Sequence, residues 1–219
     1  MATFTEVYDQ PYHIIVEGAD DREFFTRLLE HRGIDEYQVG CPRDKDNRCM
    51  GNGAFSKRIE AIFASSTVDV KGCIIVADCD DDPAGRFENA QKQLVKLPRP
   101  KSAFSKTIGP GPDGNEIKTA IVMIPTDMSH GGLETLLLEC CKSIPTHSLC
   151  IDDFCTCTQR AGRKKLDNEK VRLRAFIAAT HRDDPNLALS SWVTNTHRPF
   201  QMNLTALDAL AKFFDDFKK

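Results

Sequence analysis

Short apolar runs alternate with amphipathic stretches along the first two thirds of the chain. HIIVEG (His13 to Gly18) is an apolar run closed by Glu-Gly, and in the ADDREFFTRLLEHRG that follows, Phe24, Phe25, Leu28 and Leu29 recur at helical spacing. Asp20 with Glu23 forms a capping-box pattern at the start of this helix, and Gly33 supplies its stop. YQVG predicts a short second strand. After the polar, Gly-rich CPRDKDNRCMGNG, the segment AFSKRIEAIFASS sets Phe55, Ile59 and Ile62 on one helical face. GCIIVADCD predicts a third strand, and AGRFENAQKQLVKL a helix with Phe87, Leu94 and Leu97 to one side. IGPGPDGNEI reads as a hairpin or loop, KTAIVMIP as a further strand and HGGLETLLLECCKS as a further helix.

Strands alternating with helices predict an α/β fold, a parallel sheet flanked by helices, with its ligand crevice at the carboxyl ends of the strands. From Pro145 the period changes. KKLDNEKVRLRAFIAATHR predicts a helix with Val171, Ala175, Phe176 and Ala179 as its apolar face, and LTALDALAKFFDDFKK aligns Leu204, Leu207, Leu210, Phe214 and Phe217. We expect residues 1–145 to form the α/β domain and residues 146–219 a C-terminal helical appendage packed on it. Trp192 and Phe200 then lie buried between the two, and the terminal stripe belongs to the core rather than to a partner.

The chain is 41% hydrophobic and 28% charged, an ordinary globular composition, and its net charge of −3 leaves no global footprint for a polyanion. Nucleic-acid affinity must therefore come from a local basic patch or a bound metal. The candidates are the stretch from Arg160 to Arg174 and a loop with Arg43, Lys45 and Arg48 that could flank the crevice. Neither interleaves aromatics, so neither reads as a stacking platform for sequence readout. The N-terminus has no basic region followed by an apolar one, and no apolar run nears the ~18 residues of a membrane helix; the expectation is a soluble, cytoplasmic protein. Nine cysteines, an odd number, with Cys73, Cys140 and Cys141 in apolar segments, predict reduced buried thiols rather than a disulfide framework. His147, Cys150, Cys155 and Cys157 match no closed zinc spacing.

The chemistry concentrates in GCIIVADCDDDPAG, where an apolar strand runs into Asp78, Asp80, Asp81 and Asp82. Glu17 closes the first strand. Ends of parallel strands open on one edge, so these acids converge and present a hard oxygen set suited to Mg²⁺ or Mn²⁺. Gly18 lets the backbone turn closely and keeps the positive end of the first helix near the crevice. Asp81 and Asp82 are either further ligands, Asp82 the better placed, or the start of the next helix, where acids and Pro83 are favoured. Two other readings stand beside the metal site. One is an exposed acidic loop edge; the other is aspartyl-phosphate chemistry, which wants Asp-x-Asp after the first strand, where this chain has Glu17.

VEGADDREFF and IIVADCDDDPAG resemble the paired motifs of the Toprim domain, Glu-Gly after the first strand and Asp-x-Asp after the third. MIPTDMSHGGLETLLLE resembles the later segment of small stand-alone prokaryotic Toprim-like proteins related to overcoming-lysogenization-defect nucleases, which carries an acidic position onto Glu134. The resemblance spans residues 12–180. It implies a Toprim-like fold and metal-dependent phosphodiester hydrolysis of DNA or RNA, in phage defence or nucleic-acid processing. Glu17, Asp78, Asp80, Asp82 and Glu134 would be the ligands of one or two Mg²⁺ or Mn²⁺ ions. Glu17, Asp78, Asp80 and a lysine would carry catalysis; Lys170 is the candidate lysine, with Arg172, Arg174, Lys164 and Lys165 near it, although a charge on an amphipathic helix is by default a solvated face. Of the branches this resemblance implies, a nuclease is the expectation rather than a topoisomerase or primase, which need further parts that 219 residues do not fit. The alternative is a non-catalytic Mg²⁺- or nucleotide-binding regulatory module in a larger assembly, with a partner ATPase.

Overall fold

A computed structural model describes residues 6–142, 145–158, 165–181, 184, 186–194 and 200–219. The apolar runs become strands β1 (Tyr12–Ile15), β2 (Tyr37–Gly40) and β3 (Gly72–Asp78), separated by helices α1 (Ala19–Arg32) and α2 (Phe55–Ser65). Helix α3 (Pro83–Gln93) follows β3, and a hairpin of β4 (Thr107–Pro110) and β5 (Glu116–Ile124) completes the sheet. Helices α4 (Leu133–Cys141), α5 (Pro145–Cys157), α6 (Lys165–Thr180), α7 (Leu189–Thr194) and α8 (Asp208–Lys218) form the rest. The sheet has five strands in the order β2-β1-β3-β5-β4. All pairings are parallel except that of the hairpin strand β4 with β5.

Alternation along the strands splits the core in two. Ile14, Ile74, Val76, Ala120 and Val122 face α1, α4 and the C-terminal helices, whereas Ile15, Cys73, Ile75, Ile121 and Met123 face α2 and α3. The chain leaves β1 for β2 on one side and returns to β3 on the other, so the winding direction switches between β1 and β3. Neighbouring crossovers then diverge and leave a crevice beyond the carboxyl ends of these two strands.

The C-terminal helices are built into the first core. Leu173, Phe176, Ile177, Trp192, Phe214 and Phe217 are buried in the same cluster as Ile14 and Val122. The α8 stripe lies inward as expected, with Tyr37 Oη donating to the Phe214 carbonyl at 2.7 Å, and the Trp192 and Phe200 rings meet at 5.0 Å. The expected face of α6 holds in part: Phe176 is buried and Ala175 packs against the core, but Leu173 and Ile177 are buried beside them and Ala179 is exposed. Val171, Ala175 and Ala179 repeat at helical spacing too, but the larger side chains of the neighbouring row bury more apolar area, and docking follows that row.

The cysteines also depart from expectation at one point. Cys41 and Cys49 form a disulfide that closes the loop after β2. The other seven lie outside this disulfide, with Cys73, Cys79, Cys140, Cys141 and Cys155 buried. Among the described residues no helix is long and apolar enough to cross a membrane.

Candidate functional site

The crevice between β1 and β3 holds the acids. Glu17 lies just past β1, after Val16, and its Oε1 accepts the backbone N–H of Asp78, the last residue of β3, at 3.0 Å. Arg86, in the first turn of α3, lies across them. Its guanidinium donates to Glu17, its Nε donates to the Asp78 carbonyl at 3.0 Å, and the same Nε lies 3.2 Å from the Asp80 carboxylate. Asp80 sits at φ 47°. Its backbone pairs in both directions with Gly131, at 2.7 and 3.0 Å, which ties the loop before α4 to the end of β3.

The Asp78 side chain faces away from Arg86 toward a second helix start. Its Oδ1 accepts the Leu133 N–H at 3.2 Å. A Cβ on Gly132 would stand 2.6 Å from Asp78 Oδ2, so the close approach requires glycine there. On the opposite wall, the Gly18 N–H donates to Asp21 Oδ2 at 2.9 Å. Asp21 and Asp78 line a cleft of about 250 Å³ together with Glu134 and Lys170. Two helix N-termini, those of α1 and α4, thus direct amides at two buried carboxylates, which favours negative charge there.

Crowding still dominates. Burial, then the charges of Asp21, Glu17, Glu134 and Asp80, push the Asp78 carboxyl well above its ordinary range. Burial and Glu17 lift Asp21 to about 7. Glu17 is raised as well, because burial outweighs the Arg86 charge beside it. Groups held this way keep a proton to higher pH than an exposed carboxyl does, or are relieved by a cation.

Glu17, Asp78 and Asp80 converge as the strand ends foretold, the first and third around Arg86. Glu134 and Lys170 reach the cleft on the far side of Asp78. Asp82 takes the helix-start role, its Oδ1 accepting the Gly85 N–H at 2.9 Å as the cap of α3. The expected Asp20–Glu23 capping box is corrected: Gly18 is the cap and Asp21 its partner. Asp20 instead accepts the Ser190 N–H at 3.0 Å and anchors α7. Sequence reasoning passed over Asp21 and Arg86. The available signals were an acid three residues after the turning Gly18 and a lone arginine one turn beyond the acid run.

The donor chemistry of Asp21, Asp78 and Glu134, oxygen throughout, suits a hard divalent cation. As they stand the side chains form no ligand shell: among the described residues no group of three or more His, Cys, Asp or Glu is arranged to hold a metal ion.

The family described as "Protein of unknown function (DUF3226)" matches residues 11–218. The chain belongs to the DUF3226 family. No curated protein and no solved structure gives a significant match. The DUF3226 match takes in Glu17, the β3 acids, Glu134 and Lys170 together with the C-terminal helices, so cleft and helical segment fall within one family unit.

Of the expected basic faces in this DUF3226 chain, Arg172 pairs with Asp152 at 2.8 Å across α5 and α6, and Arg174 donates to the Leu187 carbonyl at 3.3 Å. Arg160 and Lys164, and the side chains of His147 and Lys165, lie outside the described residues. Arg48 is paired with Asp44 and Asp46 at 3.2 and 2.9 Å. Arg43 lines a separate hollow with Glu6, Tyr8 and Arg58.

Proposed function

We propose that the cleft is a metal-dependent phosphodiesterase site acting on nucleic acid, of the Toprim type that the Glu-Gly and Asp-x-Asp motifs resemble. The observation that carries this reading is the convergence of Asp21, Asp78 and Glu134, with Lys170, at the switch point between two parallel strands.

Asp78 and Glu134 would hold Mg²⁺ or Mn²⁺, with Glu17 and Asp80 behind them. Such an ion supplies Lewis acidity to a phosphoryl oxygen and acidifies a bound water. The chain's own groups do the rest. Lys170 places an ammonium where charge develops on the phosphoryl oxygens. Asp21, with its Oδ2 engaged by Gly18, offers Oδ1 to take a proton from the attacking water. The N–H groups at the starts of α1 and α4 hold the two carboxylates in place.

A second reading, a non-catalytic cation- or nucleotide-binding regulatory module, draws on Arg86, which already neutralises Glu17 and Asp80 from within the chain. Incubating the purified protein with plasmid DNA and with RNA, in Mg²⁺, Mn²⁺ or EDTA, separates the two. Cleavage that needs the metal and is lost in Asp78→Asn supports the nuclease. Metal-dependent stabilisation without cleavage supports the module.

A further inference from the structure

The loop closed by Cys41 and Cys49 leaves the carboxyl end of β2, the strand beside β1, and therefore stands on the same edge of the sheet as Glu17. Beneath it is a hollow of about 430 Å³ lined by Arg43, Lys57, Arg58, Glu6, Tyr8 and Asn47. Arg58 is 4% exposed, its guanidinium stacked 4.7 Å over the Tyr8 ring and paired with Glu6. A Cβ on Gly40 would collide with that guanidinium, so the strand end is shaped to admit it.

Glu6 engages both terminal nitrogens of Arg58 and leaves its Nε. Among the described residues, the Nε of Arg58 and the Nε of Arg43 are buried donors with no acceptor. Arg43 bonds the neutral Asn47, and neither Arg43 nor Lys57 has an ion-pair partner among the described residues. Asp44, the other acid at the rim, is engaged by Arg48 and by the N–H groups of Asp46 and Arg48. The hollow therefore holds cationic charge in excess, with donors suited to phosphate oxygens. Arg22, one residue on from Asp21, acts electrostatically on Glu6, so the charges of the hollow and of the first turn of α1 feel one another.

We propose that this hollow is a backbone-phosphate subsite. Arg43 and Lys57 hold a phosphate of the polynucleotide whose scissile bond lies in the cleft, with the Arg58–Glu6 pair as the floor of the subsite, an assignment that rests on the nuclease reading for its substrate. The disulfide fixes the loop that carries Arg43. The subsite binds phosphate without reading bases, and it supplies locally the attraction for a polyanion that a net charge of −3 withholds.

The test is fluorescence anisotropy of a labelled single-stranded oligonucleotide over a range of salt, in EDTA, so that no metal contributes. Arg43→Glu/Lys57→Glu is compared with wild type and with Lys92→Glu, a reversal on α3 outside the hollow. Arg58 is left intact, because its loss would strand Glu6. The double variant should bind about tenfold more weakly, and its salt slope should fall by about 0.7, the value for one phosphate contact on a single strand, while Lys92→Glu matches wild type. Equal binding by all three proteins overturns the subsite. So does competition in which ATP or inorganic phosphate occupies the hollow and the oligonucleotide does not. A protein that binds through Arg43 and Lys57 yet cleaves nothing keeps the subsite and loses the nuclease. One that cleaves with an unchanged KM in the double variant loses the subsite alone.

Discussion

Glu17 accepts the backbone N–H of Asp78 at 3.0 Å. The acid just beyond one parallel strand thereby holds the end of its neighbour, and a carboxylate that looks like a free ligand in sequence is also a structural acceptor. Replacing Glu17 removes both roles at once, so loss of activity in a Glu17 variant would not identify a ligand. Substitutions that separate the roles are more informative.

Arg86 is the first of these. Its side chain is 13% exposed and that of Glu17 is 16% exposed, so the pair is little screened by solvent. Arg86→Ala leaves Glu17 and Asp80 without their cation and should cost about 3 kcal/mol in chemical denaturation with EDTA present. Millimolar Mg²⁺ should restore more stability to the variant than it adds to wild type. An equal response in both proteins would place the cation elsewhere.

Asp21 gives a pH signature. Its carboxyl is lifted from 3.8 to about 7 in the folded state, so the folded protein binds the proton more tightly than the unfolded chain between those values. The charged form therefore costs stability above pH 7, and the cost disappears as the pH falls toward 3.8. Asp21→Asn, which keeps an acceptor for the Gly18 N–H, should be more stable than wild type by roughly 1 to 3 kcal/mol at pH 8, and the gap should close by pH 4. Urea titrations at stepped pH values measure this; a gap that widens on acidification contradicts it.

Asp82 separates cap from ligand. Asp82→Ala should cost about 1 kcal/mol, the usual loss of a helix N-cap, and should leave the metal response unchanged. Thermal unfolding with and without Mn²⁺ checks both halves, and a lost Mn²⁺ response would restore Asp82 to the ligand set.

The strands and the meeting of Glu17 with Asp78 and Asp80 were legible because they depend on local pattern. Continuous apolar runs such as CIIVA form buried strands, and parallel strands bring their ends to one edge whatever the side chains beyond. Asp21 and Arg86 were hidden for the opposite reason. An acid in the first turn of α1 and an arginine on α3 are ordinary solvated helix residues until the tertiary fold closes a wall over them. The same holds for part of the α6 face, where two rows of apolar residues compete and only docking selects Leu173 and Ile177 beside Phe176. The Cys41–Cys49 bridge depends on the course of a loop whose polar, Gly-rich sequence does not specify its path.

The central claim is that the crowded carboxylates of the cleft hold a divalent cation. Calorimetric titration of Mn²⁺ into wild type and Asp78→Asn near pH 7, in two buffers of different ionisation enthalpy, measures uptake and proton release together. Wild type should bind Mn²⁺ and release protons from Asp78 and Asp21, whose carboxyls burial and crowding have raised, while Asp78→Asn should show neither. Absence of uptake by wild type, or uptake unchanged in Asp78→Asn, would contradict the claim.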